Sequence, residues 1–312
     1  MRPRPSRLSR LPVFVLSALC GVVAVLAVPA VASADTTLSE NWSGYAVHRS
    51  GMSFRSVSAS WTQPSGTCTQ GDPTYSAFWV GLGGYNLNSD ALEQIGTELD
   101  CNPNGTQVIS AWYELVPAPS RPIQMTVGAG DQITATVTVV GKKVTLAISD
   151  KTRHESFTKT ITDHTIDVSS AEWITEAPSE CNNANQCQTL PLTDFGSVQF
   201  SGATAETTKL KRGTISSVLW DRTEILLGSS GSRFISTVAP QVSAQPSALA
   251  SGGRAFTVAY TAPNQPPPNQ PPILTGGGGG GPSGSDGTRS QTRASAVSGH
   301  QRLVEGVGRR TG

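Results

Sequence analysis

Short runs in which apolar and polar residues alternate recur along most of the chain, from about Asn41 to about Tyr260. The clearest run covers residues 132–140, is rich in β-branched side chains, and is followed after Gly141 by a run that suits a hairpin partner. Turn signals rich in glycine separate the runs, which also include residues 56–61, 143–148, 157–161, 197–200 and 256–260. Because no segment keeps a helical period for more than a turn or two, the pattern predicts an all-β protein, either an antiparallel β-sandwich or a barrel.

The first residues have the three parts of a secretory signal peptide. Several arginines are followed by an apolar run from Leu11 to Val28, and Ala32-Ser33-Ala34 then supplies the small residues of a cleavage site. A retained membrane anchor is the alternative, but the apolar run is short for a membrane span and a cleavable site follows it. We therefore predict a signal peptide over residues 1–34 and a secreted, extracellular protein that begins at Asp35 and has no membrane contact after signal removal.

The C-terminal end of the chain changes composition abruptly. Consecutive prolines and a glycine run from Gly276 to Gly281 predict extended, solvated chain, and the remainder holds too few apolar residues for a core. Residues 263–312 are therefore predicted to be a disordered tail, and residues 35–262 a single domain, which we expect to be monomeric. The formal net charge is +1 and 14% of the residues are charged, so nothing indicates nucleic acid as a partner.

Cysteine usage agrees with export. Cys20 lies in the predicted signal peptide, and the cysteines that remain in an oxidising compartment predict two disulfides. Of the possible connectivities we favour Cys68–Cys101 and Cys181–Cys187, because the second pair closes a short loop rich in Asn and Gln. The sequence has no CxxC pair and its histidines are scattered, so we expect neither a metal nor another cofactor.

The familiar hydrolase motifs are missing from the globular region. It contains no GxSxG or HExxH motif and no pair of Asp-Thr/Ser-Gly motifs. His48, His154 and His164 lie in polar stretches away from any nucleophile motif, and we expect them on the surface. The common serine, zinc and aspartic peptidase patterns are therefore disfavoured.

The candidate functional residues lie instead in segments rich in Trp, Gly, Glu and Gln, at residues 76–84, 92–98, 111–114 and 171–176. Counting every second residue of a strand places Gln94 on the same face as Leu92 and Gly96, so a polar amide points inward or into a cleft, where it needs hydrogen bonds. The same count places Glu172 on one face with Ile174. These positions are unusual for polar side chains of a plain scaffold.

Carboxyls in these segments can serve as proton carriers. Glu114 and Glu172 stand beside indole side chains, which would withdraw them from water and raise their pKa into a range useful for general base and general acid catalysis. Each such residue, taken singly, also fits a plain structural role. We expect Glu93 and Glu98 to be solvated. We expect Trp42 and Trp61 to belong to the core.

Taken in order, the segments resemble the glutamic peptidases, also called eqolisins. The resemblance runs collinearly from about Asn41 to about Phe200, and the ordered set of motifs is specific although each motif alone is weak. Its main motifs are Asn41-Trp42-Ser43-Gly44-Tyr45, Trp79-Val80-Gly81, Leu92-Glu93-Gln94-Ile95-Gly96, Ala111-Trp112-Tyr113-Glu114, Ala171-Glu172-Trp173-Ile174 and Asp194-Phe195-Gly196-Ser197-Val198. The resemblance implies a concanavalin A-like or jelly-roll sandwich of two large antiparallel sheets with a concave cleft. It also implies an endopeptidase that acts on proteins or peptides at acid pH.

The resemblance implies roles for individual residues as well. The family's catalytic glutamine falls on Gln94 and its catalytic glutamate on Glu172. In this interpretation Glu172 takes a proton from the attacking water and returns it to the leaving amine, while Gln94 orients the water and donates to the developing oxyanion. If the register slips, Glu176 replaces Glu172 as the base. Four residues would line the cleft and bind substrate, namely Trp79, Glu98, Trp112 and Glu114.

Two other functions remain open at this point. A non-catalytic carbohydrate-binding module would stack sugar rings on exposed indoles, here Trp79, Trp112 and Trp173. A glycoside hydrolase would use two carboxyls across a cleft, chosen from Glu98, Glu114 and Glu172. Substitution of Gln94 separates these cases, because only the peptidase interpretation makes an amide catalytic.

Overall fold

The structure is a computed structural model that describes residues 35–86, 88–181, 187–229, 241–262 and 301–303. The predicted signal peptide lies outside the described residues, as does the predicted tail apart from residues 301–303, so the two domain boundaries stay predictions. No helix in these described ranges is long and apolar enough to cross a membrane.

The secondary structure of the described residues consists of strands joined by turns and loops. In chain order the strands are β1 (Asp35–Ser39), β2 (Trp42–His48), β3 (Phe54–Thr62), β4 (Thr74–Gly83), β5 (Leu92–Cys101), β6 (Gln107–Val116), β7 (Arg121–Ile123), β8 (Gln132–Val140), β9 (Lys143–Asp150), β10 (Glu155–Thr162), β11 (Ser170–Glu176), β12 (Ser179–Cys181), β13 (Cys187–Thr189), β14 (Ser197–Thr207), β15 (Arg212–Gly213), β16 (Asp221–Ser229), β17 (Gln241–Pro246), β18 (Phe256–Tyr260) and β19 (Gln301–Leu303). The run predicted at residues 132–140 has the bounds of β8, and the other predicted runs fall within β3, β9, β10, β14 and β18.

Most of the strands belong to one hydrogen-bonded sheet. Its order is β10-β9-β8-β3-β14-β18-β17-β16-β2-β11-β4-β5-β6-β7, with β1 beside β16 and β15 beside β14. Neighbours along this path are antiparallel, whereas β1 runs parallel to β16. A second, small sheet has the order β13-β12-β19. Residues 301–303 form β19, which lies parallel to β12.

The long sheet folds over on itself into two layers. β3 packs across β4 and β11, and β8 packs across β4 and β5, although none of these pairs is hydrogen-bonded. The apolar core between the layers includes Val57, Trp61, Phe78, Val80, Ile95, Val137, Leu146, Trp173 and Phe200. This arrangement confirms the all-β fold and the antiparallel sandwich.

Burial along the strands distinguishes the two layers. In β8 and β9 buried residues alternate with half-exposed ones, as expected where one face meets the core and the other meets water. In β4, β5 and β11 nearly every residue is buried, so both faces of this layer are covered. The face turned away from the main core, which we call the second face, carries a separate apolar cluster that includes Trp42, Ala46, Trp79, Leu92, Trp112, Val116, Ile174 and Ile225.

The disulfide prediction is confirmed for one pair. Cys68 and Cys101 form a disulfide that ties the connection before β4 to the end of β5. Cys181 and Cys187 are register partners in the β12–β13 pair, which agrees with the second pairing. The side chain of Cys181 lies outside the described part of the chain, so this second disulfide stays a prediction.

Of the histidines expected on the surface, His154 and His164 are exposed. His48 is a correction, because it ends β2, a strand covered on both faces, and is half-buried. Its Nε2 atom lies 3.0 Å from the hydroxyl of Thr223, and its ring stacks on Tyr85 with 4.6 Å between ring centroids. Burial lowers the pKa of His48.

Candidate active site

Four residues of neighbouring strands form one row across the second face. Glu172 on β11 is the register partner of Gly81 on β4, Gly81 is the partner of Gln94 on β5, and Gln94 is the partner of Glu114 on β6. Directly opposed residues of antiparallel strands project from the same face of a sheet. Neighbouring strands are about 4.8 Å apart, so the Cα atoms of Glu172 and Gln94 are separated by about 10 Å with a glycine between them.

Gly81 carries no side chain between the carboxyl and the amide. A Cβ atom at this position would lie 2.8 Å from Cζ3 of Trp79 and 3.0 Å from Cδ1 of Leu92. Real Cβ atoms essentially never come closer than 3.0 Å to such neighbours, so the site requires glycine. The Trp79 ring and the Leu92 side chain therefore cover the backbone of Gly81, which lies between Glu172 and Gln94 in the row.

Gln94 is held in one orientation. Its side chain is fully buried, and its Nε2 atom donates a hydrogen bond of 2.8 Å to Oε2 of Glu114, which is also fully buried. This bond turns the amide nitrogen of Gln94 toward Glu114 and its oxygen away. The Oε1 atom of Gln94 has no hydrogen-bond partner among the described residues.

Glu172 carries a buried carboxyl group on β11. Its side chain is 0% exposed, and neither carboxyl oxygen has a hydrogen-bond partner within the described ranges. Burial raises the pKa of Glu172 well above its ordinary value, and the negative charge of Asp167 acts in the same direction. The nearby Ser170 hydroxyl opposes this shift without reversing it. The arrangement favours a neutral carboxyl that can donate through one oxygen and accept through the other.

The other predicted site residues lie in the next rows of the same face. Trp79 and Trp112 flank Gly96, and both indoles are buried. Glu98 lies one row further along β5 and is half-buried rather than solvated, with the Ser110 hydroxyl hydrogen-bonded to its Oε1 atom. The structure therefore brings all six predicted residues to one face, namely Gln94, Glu172, Trp79, Glu98, Trp112 and Glu114.

Glu176 differs from Glu172 in its surroundings. It lies two rows from Gln94, and its oxygens accept hydrogen bonds from Nδ2 of Asn41 at 3.2 Å and from Nε1 of Trp79 at 2.7 Å. These bonds fix the Trp79 ring, whose Cζ3 atom lies over Gly81. The register thus places Glu172 in the same row as Gln94. Glu176 instead anchors the indole of Trp79 through a hydrogen bond.

Glu93 is a correction to the expectation of a solvated side chain. It is 1% exposed, because its register partners Leu82 and Leu115 place it on the face that packs against the other layer. Its Oε1 atom accepts a 3.3 Å hydrogen bond from the backbone N–H of Asp167, and its Oε2 atom has no partner among the described residues. Burial raises the pKa of Glu93 to about 9.

A polar group flanks the row on the side of Glu172. Ala46 of β2 is the register partner of both Glu172 and Thr223, so the small Ala46 side chain separates the carboxyl from the threonine. The hydroxyls of Tyr85 and Thr223 lie 2.9 Å apart. Sequence reasoning missed this group because its members come from separate strands and a loop, with no shared motif.

Comparison with known proteins agrees with this fold. The chain is similar to scytalido-glutamic peptidase solved with a peptide-based transition-state analogue, with 22% sequence identity and a TM-score of 0.58 over 71% of this chain and 98% of that chain. It is also similar to SCP-B, a member of the eqolisin family of peptidases solved with the tripeptide Ala-Ile-His, with 21% identity and a TM-score of 0.56 over the same shares. No curated protein matches the chain.

The fold and the second face define an all-β sandwich with a buried carboxyl and a buried amide in one row, an arrangement suited to a hydrolase that activates water. The sequence matches the peptidase A4 family over residues 40–235, more than half of the chain. The chain belongs to this family of glutamic peptidases and is an endopeptidase. The family match favours the peptidase interpretation over carbohydrate binding and glycoside hydrolysis.

Proposed function

We propose that this peptidase is secreted, acts at acid pH, and uses Gln94 and Glu172 to activate the water that attacks the peptide bond. The observation that carries the proposal is the row in which these two residues flank Gly81, each with buried oxygens that lack a partner among the described residues. Two similar structures hold a peptide-based analogue and a tripeptide, which supports a protein or peptide substrate here. Secretion rests on the predicted signal peptide.

Gln94 would hold the water and stabilise the developing charge. Its bond to Glu114 directs the amide nitrogen one way, so the unpartnered Oε1 atom is left to accept a hydrogen bond from the water. A side-chain amide carries two donor hydrogens, and the one not given to Glu114 can donate to the carbonyl oxygen as it becomes negative. Loss of such a donor costs about 10²–10³ in rate.

Glu172 would carry protons in both directions. Because its pKa is raised, the resting carboxyl holds a proton at acid pH, whereas the resemblance implied a carboxyl that first takes a proton from the water. As the water oxygen bonds to the scissile carbon, one Glu172 oxygen accepts a water proton and the other donates its own proton to the carbonyl oxygen. When the C–N bond breaks, the carboxyl accepts a proton from the tetrahedral intermediate and donates one to the leaving nitrogen.

Two features support action at acid pH. The neutral form of Glu172 is the active form in this scheme, so activity is lost as the pH rises through its raised pKa. Glu93 has an ordinary pKa of 4.5 that is raised to about 9 in the folded protein. The stability linked to Glu93 is therefore complete below about pH 4.5 and is lost as the pH rises toward 9.

Substrate contacts fall to the other residues of the second face. Trp79 and Trp112 place buried indole rings one row from the pair, and Glu98 adds a half-buried carboxyl in the row beyond. We assign these three residues to the side chains of the bound peptide. Glu114 acts on the substrate indirectly, through the orientation of Gln94.

The test is cleavage of an unfolded protein substrate at acid pH by the secreted protein and two variants. We expect Gln94→Ala to lower kcat/KM by about 10²–10³, as expected for the loss of an oxyanion donor. The control, Gln199→Ala, removes an exposed glutamine of β14 and should leave cleavage unchanged. Full activity in a folded Gln94→Ala variant would overturn the assignment, because no other proposed function uses this amide catalytically.

A further inference from the structure

Asp167, in the connection between β10 and β11, ties together three segments near the pair. Its Oδ1 atom accepts a 2.8 Å hydrogen bond from the backbone N–H of Ser169, just before β11. Its Oδ2 atom accepts from the backbone N–H of Gly84 at 3.2 Å and from the Ser89 hydroxyl at 2.5 Å, in the loop that joins β4 to β5. One carboxylate thus links the start of β11 to the end of β4 and to the loop that follows.

The backbone of Asp167 extends these links to the strand of Gln94. Its N–H donates to Oε1 of Glu93, the residue next to Gln94. Ser169, bonded to the Asp167 carboxylate, lies three positions before Glu172 in the chain. Asp167 therefore contacts neighbours of both members of the pair without lying in their row.

Gly83, the last residue of β4, packs closely against Asp167. Gly83 has a φ of +84°, and a Cβ atom there would lie 2.6 Å from both Cβ and the backbone oxygen of Asp167. Only a glycine accommodates both the backbone conformation and the approach of the aspartate. The end of β4 therefore leaves room for the Asp167 side chain.

We propose that Asp167 is a positioning residue for the Gln94–Glu172 pair, holding the start of β11 and the end of β4 in the register that places the carboxyl and the amide on either side of Gly81. This inference rests on the proposed function, since it assigns a role relative to that pair. Asp167 does not touch the reacting atoms in this scheme. It acts through its hydrogen bonds to Ser169, Gly84, Ser89 and Glu93.

The charge of Asp167 also acts on Glu172 and on Glu93. Glu93 and Glu172 both feel its negative charge, which raises the pKa of each. Asp90 lines the same cavity of about 340 Å³ as Asp167, so the surroundings are acidic. Removal of the Asp167 charge should therefore lower the pKa of Glu172 and move the loss of activity at high pH to a lower pH.

The test compares Asp167→Asn, Ser89→Ala and Asp163→Asn in kcat, KM and the pH profile of kcat/KM. Asp163→Asn is the matched control, since this carboxylate of the same connection accepts from the backbone N–H groups of His164 and Thr165 in its own loop. For Asp167→Asn we expect kcat to fall by about 10- to 100-fold, the cost of a small misplacement of catalytic groups. We also expect the decrease of its kcat/KM at high pH to begin at a lower pH. For Ser89→Ala we expect a smaller fall in kcat. Its decrease of kcat/KM at high pH should occur at the same pH as in the wild type, since the charge of Asp167 remains.

The outcomes separate this inference from the proposed function. If Asp167→Asn only lowers the melting temperature and keeps the kcat and pH profile of Asp163→Asn, the positioning role is wrong. If Asp167→Asn fails to fold, Ser89→Ala decides, because a wild-type kcat in that variant overturns the inference. Retained activity in Gln94→Ala would instead reject the catalytic pair itself.

Discussion

The buried carboxyl of Glu93 predicts an unusual dependence of stability on pH. Its ordinary pKa of 4.5 is raised to about 9 by burial. Between these values the folded protein keeps a proton that the unfolded chain has lost, so the free energy of unfolding decreases as the pH rises. At 1.36 kcal/mol per pKa unit, the Glu93 contribution falls by about 3 kcal/mol between pH 4.5 and pH 7.

Glu93→Gln isolates this effect. Glutamine has nearly the same shape, its carbonyl oxygen can still accept the N–H of Asp167, and it does not ionise. Wild type and variant would be unfolded with urea at pH values from about 4.5 to about 7, and their free energies of unfolding compared. The difference between them should change by about 3 kcal/mol in favour of the variant as the pH rises, by the same linkage.

The control is Glu180→Gln, which changes an exposed glutamate of β12 and should track the wild type at every pH. Some decrease in stability with pH should remain in Glu93→Gln, because Glu172 also has a raised pKa. Parallel curves for wild type and Glu93→Gln would refute the reasoning, since they would mean that Glu93 ionises in the folded protein as readily as in the unfolded chain.

Two further predictions concern the second face. Gly81→Ala places a methyl group 2.8 Å from the Trp79 ring, which must then shift. This shift should lower kcat/KM by at least about 10-fold while the circular dichroism spectrum stays that of the wild type. Unchanged kcat/KM would show that glycine is not needed at this position. Glu176→Gln exchanges one of the two acceptor oxygens that hold Asn41 and Trp79, and should lower kcat/KM by about 10-fold and change the tryptophan fluorescence. Normal fluorescence and activity in this variant would show that Glu176 does not anchor the Trp79 ring.

The extent of sequence-based prediction differs between the fold and the site. Alternation alone located β8 with its bounds, and the resemblance identified Gln94, Glu172 and four neighbours that the structure gathers on one face. Period-2 counting works here because each of these residues lies on a regular strand. It could not reveal the importance of Gly81, because β11 and β4 are distant in sequence and only their pairing places this glycine between Glu172 and Gln94.

Glu93 and Asp167 show a second limit. Glu93 is one residue from Gln94, so alternation sends it to the opposite face, and a glutamate there was expected to meet water. That face instead packs against the other layer, which local sequence does not show. Asp167 reaches the site from a loop through hydrogen bonds to Gly84 and Ser89, and loop residues carry no periodic signal that would predict such contacts.

The most direct test of the central claim is the pH profile of protein cleavage by wild type and Glu172→Gln, from about pH 2 to about pH 8. The account predicts that wild type is most active in acid and loses activity as the pH rises through the raised pKa of Glu172. A folded Glu172→Gln variant should be inactive across the range, because an amide cannot exchange protons with water and substrate. Wild-type cleavage that increases toward neutral pH, or a Glu172→Gln variant that cleaves at the wild-type rate, would contradict the account.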